Sequence, residues 1–396
     1  MNRPAIVAIG YDRPQALQRL LSSIESAIYA EDIHPVLVIS IDNSGRDDVI
    51  EVARRFEYTH GEKVIMARPE RMGLRAHVLS CGDLTQQYGS IIVLEDDIFV
   101  SPQFYSYACA ALDHAQKDDR IGAVSLYDHK FNVHRRESFC AIDDGYDNYY
   151  LQLASSWGQA YTKKQWDDFK AWYEKNKDRD LAGPFVPANV SGWSERSWLK
   201  YYIVYMIEMG KFAIYPRISL TTNFGDVGTH TKRSDTDLQV PVAGKGRNSF
   251  KFSSLDDSRS VYDSFFEPLG IMDGEKIRLG AYINDADRKK AITVDLYGVK
   301  PVEEIIRKTG NRYALSSSAL PFKAVKSFGR QMRPVDANIV FDISGDDIRL
   351  YDTSKSCTPP RTQSEAHRLM YEYKGISVMR MFGIICHRVK ERFGRD

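Results

Sequence analysis

Three consecutive carboxylates, Glu95, Asp96 and Asp97, follow directly on the largely apolar run 90–94. Like charges repel one another, and an apolar strand beside them raises the pKa of each carboxyl unless a cation lies close by. Mg²⁺ and Mn²⁺ bind hard oxygen ligands, commonly one or two carboxylates together with the phosphates of a substrate. The triplet therefore indicates a divalent-metal site, with a solvated acidic turn after a strand as the alternative.

The elements that must position this triplet are four short apolar runs that alternate with helical segments. The runs cover residues 5–9, 36–41, 63–66 and 90–94, and the predicted helices cover 14–28, 48–56 and 74–88. This order predicts a parallel, doubly wound α/β sheet. Ligands of such sheets bind beyond the carboxyl ends of the strands. We therefore expect the polar residues at these ends to converge with the triplet on one crevice, namely Asp12, Arg13, Asp42 and Asn43.

The rest of the chain gives a more mixed pattern. Helices are predicted at 103–116, 163–175 and 194–209, and strands at 121–126 and 212–215. The composition becomes rich in Ser, Asp, Lys and Gly near residue 234, which predicts a division into a domain of residues 1–235 and an accessory region of residues 236–396. Within the accessory region, the runs 291–296 and 338–341 have β-like composition.

Residues 363–395 predict a terminal helix that is broken at Gly375. From Lys374 onward this segment has six Lys or Arg residues against two acidic residues. Its apolar residues recur at helical spacing on one side, and they are Ile376, Met379, Phe382, Ile385 and Val389. The segment is either a surface helix of the domain or an amphipathic helix that lies at a membrane interface.

The overall composition excludes several classes of protein. The chain has 396 residues, of which 43% are hydrophobic, and a formal net charge of +1, so bulk charge does not favour nucleic acid as a partner. Five widely spaced cysteines without a Cys-x-x-Cys pair argue against a zinc site and against a disulfide framework. The start of the sequence does not resemble a signal peptide, and no apolar stretch approaches the roughly 20 residues of a membrane-spanning helix. We expect a cytoplasmic protein, located at the inner face of the membrane if the terminal helix is interfacial.

Val93 to Pro102 resembles the segment around the metal motif of GT-A glycosyltransferases. The likeness is to the N-acetylglucosaminyltransferase family that begins complex N-glycans and to related bacterial family 2 enzymes. Further segments match in the same order along roughly residues 4–235, and they are 6–14, 40–45, 73–76, 215–217 and 223–230. The resemblance implies a GT-A fold and transfer of a sugar from a nucleotide donor.

The resemblance also implies roles for the acidic residues. Asp97 is expected to bind the metal directly, Asp96 to hold the ribose or sugar of the donor, and Glu95 to bind sugar hydroxyls. His230, in a loop expected to cover the donor, is a second candidate for contact with the metal or the diphosphate. Closure of such a loop excludes water and suppresses hydrolysis of the donor.

The same resemblance places four residues near the nucleotide. Arg13 and Asp42 are expected to contact the uridine part of the donor, with Asp12 in the same turn as Arg13, and Arg75 to lie near the nucleotide or its diphosphate. Planar guanidinium groups suit phosphates and stacked bases. The alternatives are surface ion pairs for both arginines and a turn-forming role for Asp42.

Transfer with inversion requires a carboxylate base near the acceptor hydroxyl. Related enzymes have a Trp-Asp-Asp-Trp segment before the Tyr-Pro strand, whereas residues 192–198 read Gly-Trp-Ser-Glu-Arg-Ser-Trp, without the two aspartates and with one more residue. Glu195 is the nearest carboxylate and the candidate base, and Asp226 is the competing candidate. Trp157 resembles the tryptophan of a Trp-Gly turn that lines the sugar site, although a core tryptophan is the alternative.

These observations predict a metal-dependent, inverting glycosyltransferase that uses Mn²⁺ or Mg²⁺ and a UDP-linked sugar. The expected acceptor is a growing surface polysaccharide or a lipid-linked glycan. A sugar nucleotidyltransferase is one alternative, but residues 10–14 are not the Gly-rich basic loop that such enzymes carry after the first strand. A carbohydrate-binding protein on a degenerate transferase fold is the other, favoured by the missing aspartates near Trp193.

Overall fold

A computed structural model describes residues 2–226, 236, 238–244, 249–269, 292–360, 365–373 and 377–393. The strands are β1 Ala5–Gly10, β2 Leu37–Ile41, β3 Lys63–Ala67, β4 Ser90–Glu95, β5 Ile98–Val100, β6 Ile121–Ser125, β7 Phe131–Asn132, β8 Glu137–Ser138, β9 Asn148–Leu151, β10 Gln159–Thr162, β11 Phe212–Pro216, β12 Thr221–Asn223, β13 Val261–Tyr262, β14 Thr293–Asp295, β15 Tyr313–Ser316, β16 Phe322–Phe328 and β17 Ile348–Ser356. The helices are α1 Pro14–Glu25, α2 Asp47–Arg55, α3 Leu74–Gly82, α4 Thr85–Tyr88, α5 Phe104–Ala115, α6 Lys163–Asn176, α7 Ala188–Ser191, α8 Trp198–Glu208, α9 Val302–Thr309, α10 Ala337–Val340, α11 Glu365–Glu372 and α12 Val378–Phe393.

The core of the molecule is a nine-stranded sheet in the order β13-β9-β11-β6-β10-β4-β1-β2-β3. Strands β3, β2, β1 and β4 are parallel to one another. Strand β10 is antiparallel to both β4 and β6, so β6 runs in the same direction as β4. The carboxyl ends of β1, β2, β4 and β6 therefore lie at one edge of the sheet. This mostly parallel sheet confirms the predicted α/β class and is consistent with the GT-A arrangement.

The first four strands form where the apolar runs predicted them. Every residue of β1 and β2 is buried, as expected for parallel strands that are covered on both faces. Helix α1 covers one face through Leu17, Leu20, Leu21 and Ile24, all fully buried. Pro14 stands at the start of this helix, where its missing N–H group does not cost a hydrogen bond.

Two predicted helices begin or end at other residues than expected. The segment 74–88 is divided into α3 and α4, and Gly82 packs so closely on the Trp166 ring that a Cβ atom there would lie 1.9 Å from Cζ2. Helix α8 begins at Trp198 rather than at residue 194, because the Ser197 side chain caps it by accepting a hydrogen bond from the Lys200 backbone N–H. Glu195 therefore lies in the turn before the helix.

The run 338–341 was wrongly interpreted as β-like, since most of it forms the short helix α10. The reason is a set of local bonds made by Asn338. Its Oδ1 accepts hydrogen bonds from the backbone N–H groups of Gln331 and Met332, each at 2.8 Å. Such side-chain bonds to the backbone compete with strand formation.

The accessory region contains a four-stranded sheet in the order β14-β15-β17-β16. Before reaching it, the chain returns to the main sheet, where β13 pairs in parallel with β9. The division at residue 235 stays a prediction, and β13 is a part of the main sheet that follows it. No helix among the described residues combines the length and the apolar character that a membrane crossing requires.

A buried carboxyl lies where the main sheet and the accessory region meet. The Tyr262 hydroxyl of β13 donates a hydrogen bond to Asp336 Oδ2 at 3.2 Å, and Asp336 is 2% exposed. Burial raises the pKa of Asp336 to about 7. The folded protein therefore binds the proton of the Asp336 carboxyl more tightly than the unfolded chain does. The resulting contribution to the free energy of unfolding is fully present below about pH 4 and is lost as the pH rises towards 7.

Replacing Asp336 with Asn removes the cost of ionising a buried carboxyl while keeping an oxygen for Tyr262. We expect Asp336→Asn to stabilise the fold by about 2 kcal/mol more at pH 8 than at pH 5. Thermal unfolding at the two pH values measures the difference. Asp346→Asn, at an exposed carboxylate in the same region, is the matched control and should show no such dependence. Equal effects of the two substitutions would contradict the interpretation.

Candidate active site

The three carboxylates at the end of β4 lie in different surroundings. Burial raises the pKa of Glu95 to about 8, and the negative charges of Asp97 and Asp96 act in the same direction. Burial also raises the pKa of Asp96 to about 6, although Arg13 opposes that shift. The Asp97 side chain is partly open, with 21% of its surface exposed. Glu95 is partly exposed as well, whereas Asp96 is 4% exposed, so the triplet presents two partly accessible carboxylates with a buried one between them.

Arg13 is the cation that contacts this triplet. It follows β1 and immediately precedes α1, so the parallel pairing of β1 with β4 brings it to Asp96. Its Nε donates a hydrogen bond to Asp96 Oδ2 at 3.3 Å, its Nη2 bonds to Asp96 Oδ1, and the same Nη2 lies 3.6 Å from Asp97 Oδ2. Asp12 adds negative charge near Asp96. A single guanidinium thus faces more negative charge than it can balance.

The residues at this edge fit a divalent cation. Their donor atoms are hard carboxylate oxygens, and the surplus of negative charge is what Mg²⁺ or Mn²⁺ would neutralise. Within the described ranges, no group of three or more His, Cys, Asp and Glu side chains is arranged to hold a metal. A metal that is bound by one or two carboxylates and completed by substrate phosphates does not need such a group. His230, the other residue predicted to reach the metal, lies outside the described residues.

Asp42 fixes the segment that precedes α3. Its Oδ1 accepts a hydrogen bond from the Met72 backbone N–H at 2.8 Å, and its Oδ2 accepts one from the Gly73 N–H at 2.9 Å. Asp42 is 3% exposed, and Gly73 has the positive φ of 80° that favours glycine at the start of α3. The structure thus assigns Asp42 a contact that sequence reasoning did not foresee. It connects the end of β2 to the helix that carries Arg75.

Arg75 and Glu195, predicted for different roles, belong to one hydrogen-bonded network. Arg75 Nη1 donates to the Tyr201 hydroxyl at 2.8 Å, and that hydroxyl bonds to Glu195 Oε2. Lys200 Nζ donates to Glu195 Oε1 at 2.6 Å. The hydrogen bond from Lys200, followed by that from Tyr201, lowers the pKa of Glu195. Glu195 is thus ionised at neutral pH, and about two thirds of its side chain is exposed.

Trp198 lies near the triplet. It is the first residue of α8, three positions after Glu195, and its indole opposes the rise in the pKa of Glu95. Sequence reasoning considered Trp198 only as part of a divergent motif and did not assign it a contact. The signal in the sequence was the position of this tryptophan, three residues after Glu195.

Asp226 lies on the other side of the triplet. It forms an ion pair with Arg19 of α1, whose guanidinium stacks on the Phe224 ring at 3.9 Å from its centroid. The Phe224 backbone N–H donates to the Asp97 carbonyl oxygen at 2.9 Å, and β12 pairs with β5 just after the triplet. The segment that carries Asp226 is therefore attached to the backbone of the triplet itself.

Trp157 lies beside residues that follow β6, at the same edge of the sheet. Its ring centroid is 4.8 Å from that of Tyr127 and 5.8 Å from that of His129. The residue is partly exposed and also packs against the hydrophobic core, so its place at the sugar site stays a prediction. Between these residues, burial raises the pKa of Asp128 to about 6, opposed by Lys130. Tyr127, Asp128 and His129 were missed in the sequence, although their position at the end of a parallel strand was a usable signal.

Comparison with known proteins gives similarity at the level of the fold only. No family model and no curated protein matches the sequence. A mannosyltransferase from Pyrobaculum calidifontis, solved with GDP-Man and Mn²⁺, is similar over 55% of this chain and 55% of its own, at 16% identity and a TM-score of 0.33. S. aureus TarS 1–349 is similar over 55% and 59%, at 11% identity and a TM-score of 0.33. The chain thus spans little more than half of each, and similarity of this size carries no weight for function.

Removing the Asp42 carboxylate tests its part in the site. In Asp42→Ala the N–H groups of Met72 and Gly73 lose their acceptor, and we expect a loss of about 3 kcal/mol of stability, since hydrogen bonds to charged groups are the stronger kind. Asp42→Asn keeps one oxygen acceptor, and its stability should lie between those of Asp42→Ala and the wild type. Thermal unfolding and proteolysis at residues 68–73 measure the effect. An unchanged cleavage rate in Asp42→Ala would show that the segment is held by other contacts.

Proposed function

We propose that the chain is a metal-dependent glycosyltransferase that moves a sugar from a nucleotide donor at the edge formed by β1, β2 and β4. The observation that carries the proposal is the convergence of Arg13 and the triplet on this edge. The strands that bring them together are distant in sequence and adjacent in space. A partly exposed Asp97 with an arginine beside it suits a metal-bound diphosphate.

In this proposal Asp97 holds Mn²⁺ or Mg²⁺, with His230 as a further candidate ligand. The bound metal supplies neutralisation of the charge that develops on the leaving diphosphate. Arg13 orients Asp96 towards the donor ribose or sugar, and Glu95 contacts the sugar hydroxyls. The Trp198 indole lies near Glu95 and opposes the rise in its pKa.

The nucleotide is proposed to be UDP, with its uridine near Asp12 and Asp42. The Asp42 carboxylate already binds two backbone N–H groups, so its contribution includes placing the segment that leads to Arg75. Trp157 offers a partly exposed ring for stacking on a sugar face. The acceptor is proposed to be a surface polysaccharide or a lipid-linked glycan, and the sugar a hexose or an N-acetylhexosamine.

Transfer with inversion requires a base, and Glu195 is our candidate. It is ionised and largely exposed, and Tyr201 connects it to Arg75. Lys200 and Tyr201 orient the carboxylate but also reduce its basicity, because they stabilise the charged form. Asp226 is the competing candidate, and its ion pair with Arg19 orients its carboxylate.

Donor binding tests the metal site. We expect one or more nucleotide sugars to raise the melting temperature in the presence of Mn²⁺, and EDTA to remove the effect. Asp97→Ala should weaken metal-dependent donor binding by about 100-fold, as the loss of a direct metal ligand and its charge. Glu57→Ala, at an exposed carboxylate between α2 and β3, is the control and should bind as the wild type does. A response to donor that neither EDTA nor Asp97→Ala changes would contradict the proposal.

The two candidate bases are separated by neutral amides of the same shape. We expect Glu195→Gln to reduce the rate of transfer by about 1000-fold, within the range for a lost general base, while donor affinity stays within about twofold. Asp226→Asn should retain transfer. Radiolabelled sugar transfer and donor affinity are measured for both variants. The reverse pattern would assign the base to Asp226, and donor binding without transfer in the wild type, under all acceptors tested, would favour a carbohydrate-binding protein.

A further inference from the structure

Helix α12 exposes large apolar side chains to solvent. Val378 and Met379 are more than four fifths exposed, Phe382 is 67% exposed, and Ile385 is 55% exposed. Val378, Phe382, Ile385 and Val389 recur at spacings of four, three and four residues, which places them on one face of the helix. A helix packed on the domain would cover this face. The exposed fractions show that it is open.

The segment before α12 is firmly bound to the accessory region. In α11, Arg368 Nη2 donates to Glu137 Oε1 at 3.0 Å and to the Tyr297 carbonyl oxygen at 2.7 Å. Arg333 donates to the carbonyl oxygen of Tyr371 at 2.6 Å, and Tyr371 is 4% exposed. These contacts attach α11, which precedes α12 in the chain, to the body of the protein.

The charge of α12 indicates which occupant fits. By sequence the helix contains four basic residues, Arg380, Arg388, Lys390 and Arg392, against one acidic residue, Glu391, a net charge of +3 in a chain whose net charge is +1. A second copy of this helix would bring the same positive charge against it, and like charges repel. An anionic surface with an apolar layer beneath it complements both properties at once.

We propose that α12 docks on a membrane surface that contains anionic lipids. Its face of Val378, Phe382, Ile385 and Val389 enters the boundary between head groups and acyl chains, and the net positive charge of the helix is attracted to the anionic head groups. At 1.5 Å per residue, its 16 residues lie in the plane of the surface over about 24 Å. Docking does not depend on sugar transfer, so it is measured without a donor.

Sedimentation of the full chain with lipid vesicles tests the proposal. We expect binding to vesicles of phosphatidylcholine with phosphatidylglycerol to exceed binding to phosphatidylcholine alone by about tenfold or more, and to fall as salt is added. Ile385→Ser should weaken binding to the anionic vesicles by about tenfold, since it removes one buried aliphatic side chain. Ile384→Ser is the matched control. It makes the same change at the neighbouring residue, 49% exposed, which points about 100° away from the apolar face.

The proposal stands if Ile385→Ser loses binding while Ile384→Ser stays within about twofold of the wild type, with circular dichroism unchanged in both. Equal losses in the two variants, or equal binding to neutral and anionic vesicles, would overturn it. So would a dimer that forms without lipid and that Ile385→Ser dissociates, because the face would then belong to a second copy of the chain.

Discussion

Unbalanced negative charge at the carboxyl end of β4 is the constraint on which the rest of the site depends. Glu95, Asp96 and Asp97 cannot separate, because they are consecutive in the chain and β1 pairs with β4 as far as Glu95. Burial then raises the pKa of Glu95 and Asp96 above their ordinary values. Each neighbouring element supplies a group that reduces this cost, and the arrangement of the site follows from those groups.

Three segments meet at the triplet. Arg13 reaches the carboxylates from the end of β1, the Trp198 indole lies near Glu95 at the start of α8, and the Phe224 N–H just after β12 binds the backbone carbonyl oxygen of Asp97. These three segments are far apart in the sequence. The triplet thus contacts segments that are distant from one another in the sequence, and these contacts define this edge of the sheet.

The parts of this arrangement that depend on local pattern could be predicted from the sequence. The first four strands lie within one residue of the predicted runs, because parallel strands buried on both faces are continuous apolar segments. The parts that depend on distant contacts could not. The helix 74–88 is divided near Asp83, whose Oδ1 accepts a hydrogen bond from the Trp166 indole at 2.8 Å. Arg75 meets Tyr201 across 126 positions of sequence, and no periodicity reports such a pairing.

The start of α8 differs from the prediction for another reason, because the residue that determines it is local in the sequence. Ser197 is a good N-cap residue, and its side chain bonds to the Lys200 N–H. The pattern of residues predicts a helix that begins at residue 194, which would place Glu195 on a helix face. In the structure Glu195 lies in the preceding turn, where Lys200 and Tyr201 can reach both of its oxygens. The position of Glu195, and with it the candidate role as a base, thus depends on Ser197, which caps α8, more than on the amphipathic pattern of the helix.

The balance of charge also determines what this edge can bind under the proposed function. Lys200 is paired with Glu195 and Arg19 with Asp226, so these cations are already engaged. A diphosphate would add negative charge to the triplet with Arg13 as the contacting cation, and that approach is unfavourable at short distance. A divalent cation between Asp97 and the phosphates removes the repulsion on both sides. Metal dependence would then follow from charge, with Asp97 as a protein ligand and the phosphates completing the coordination.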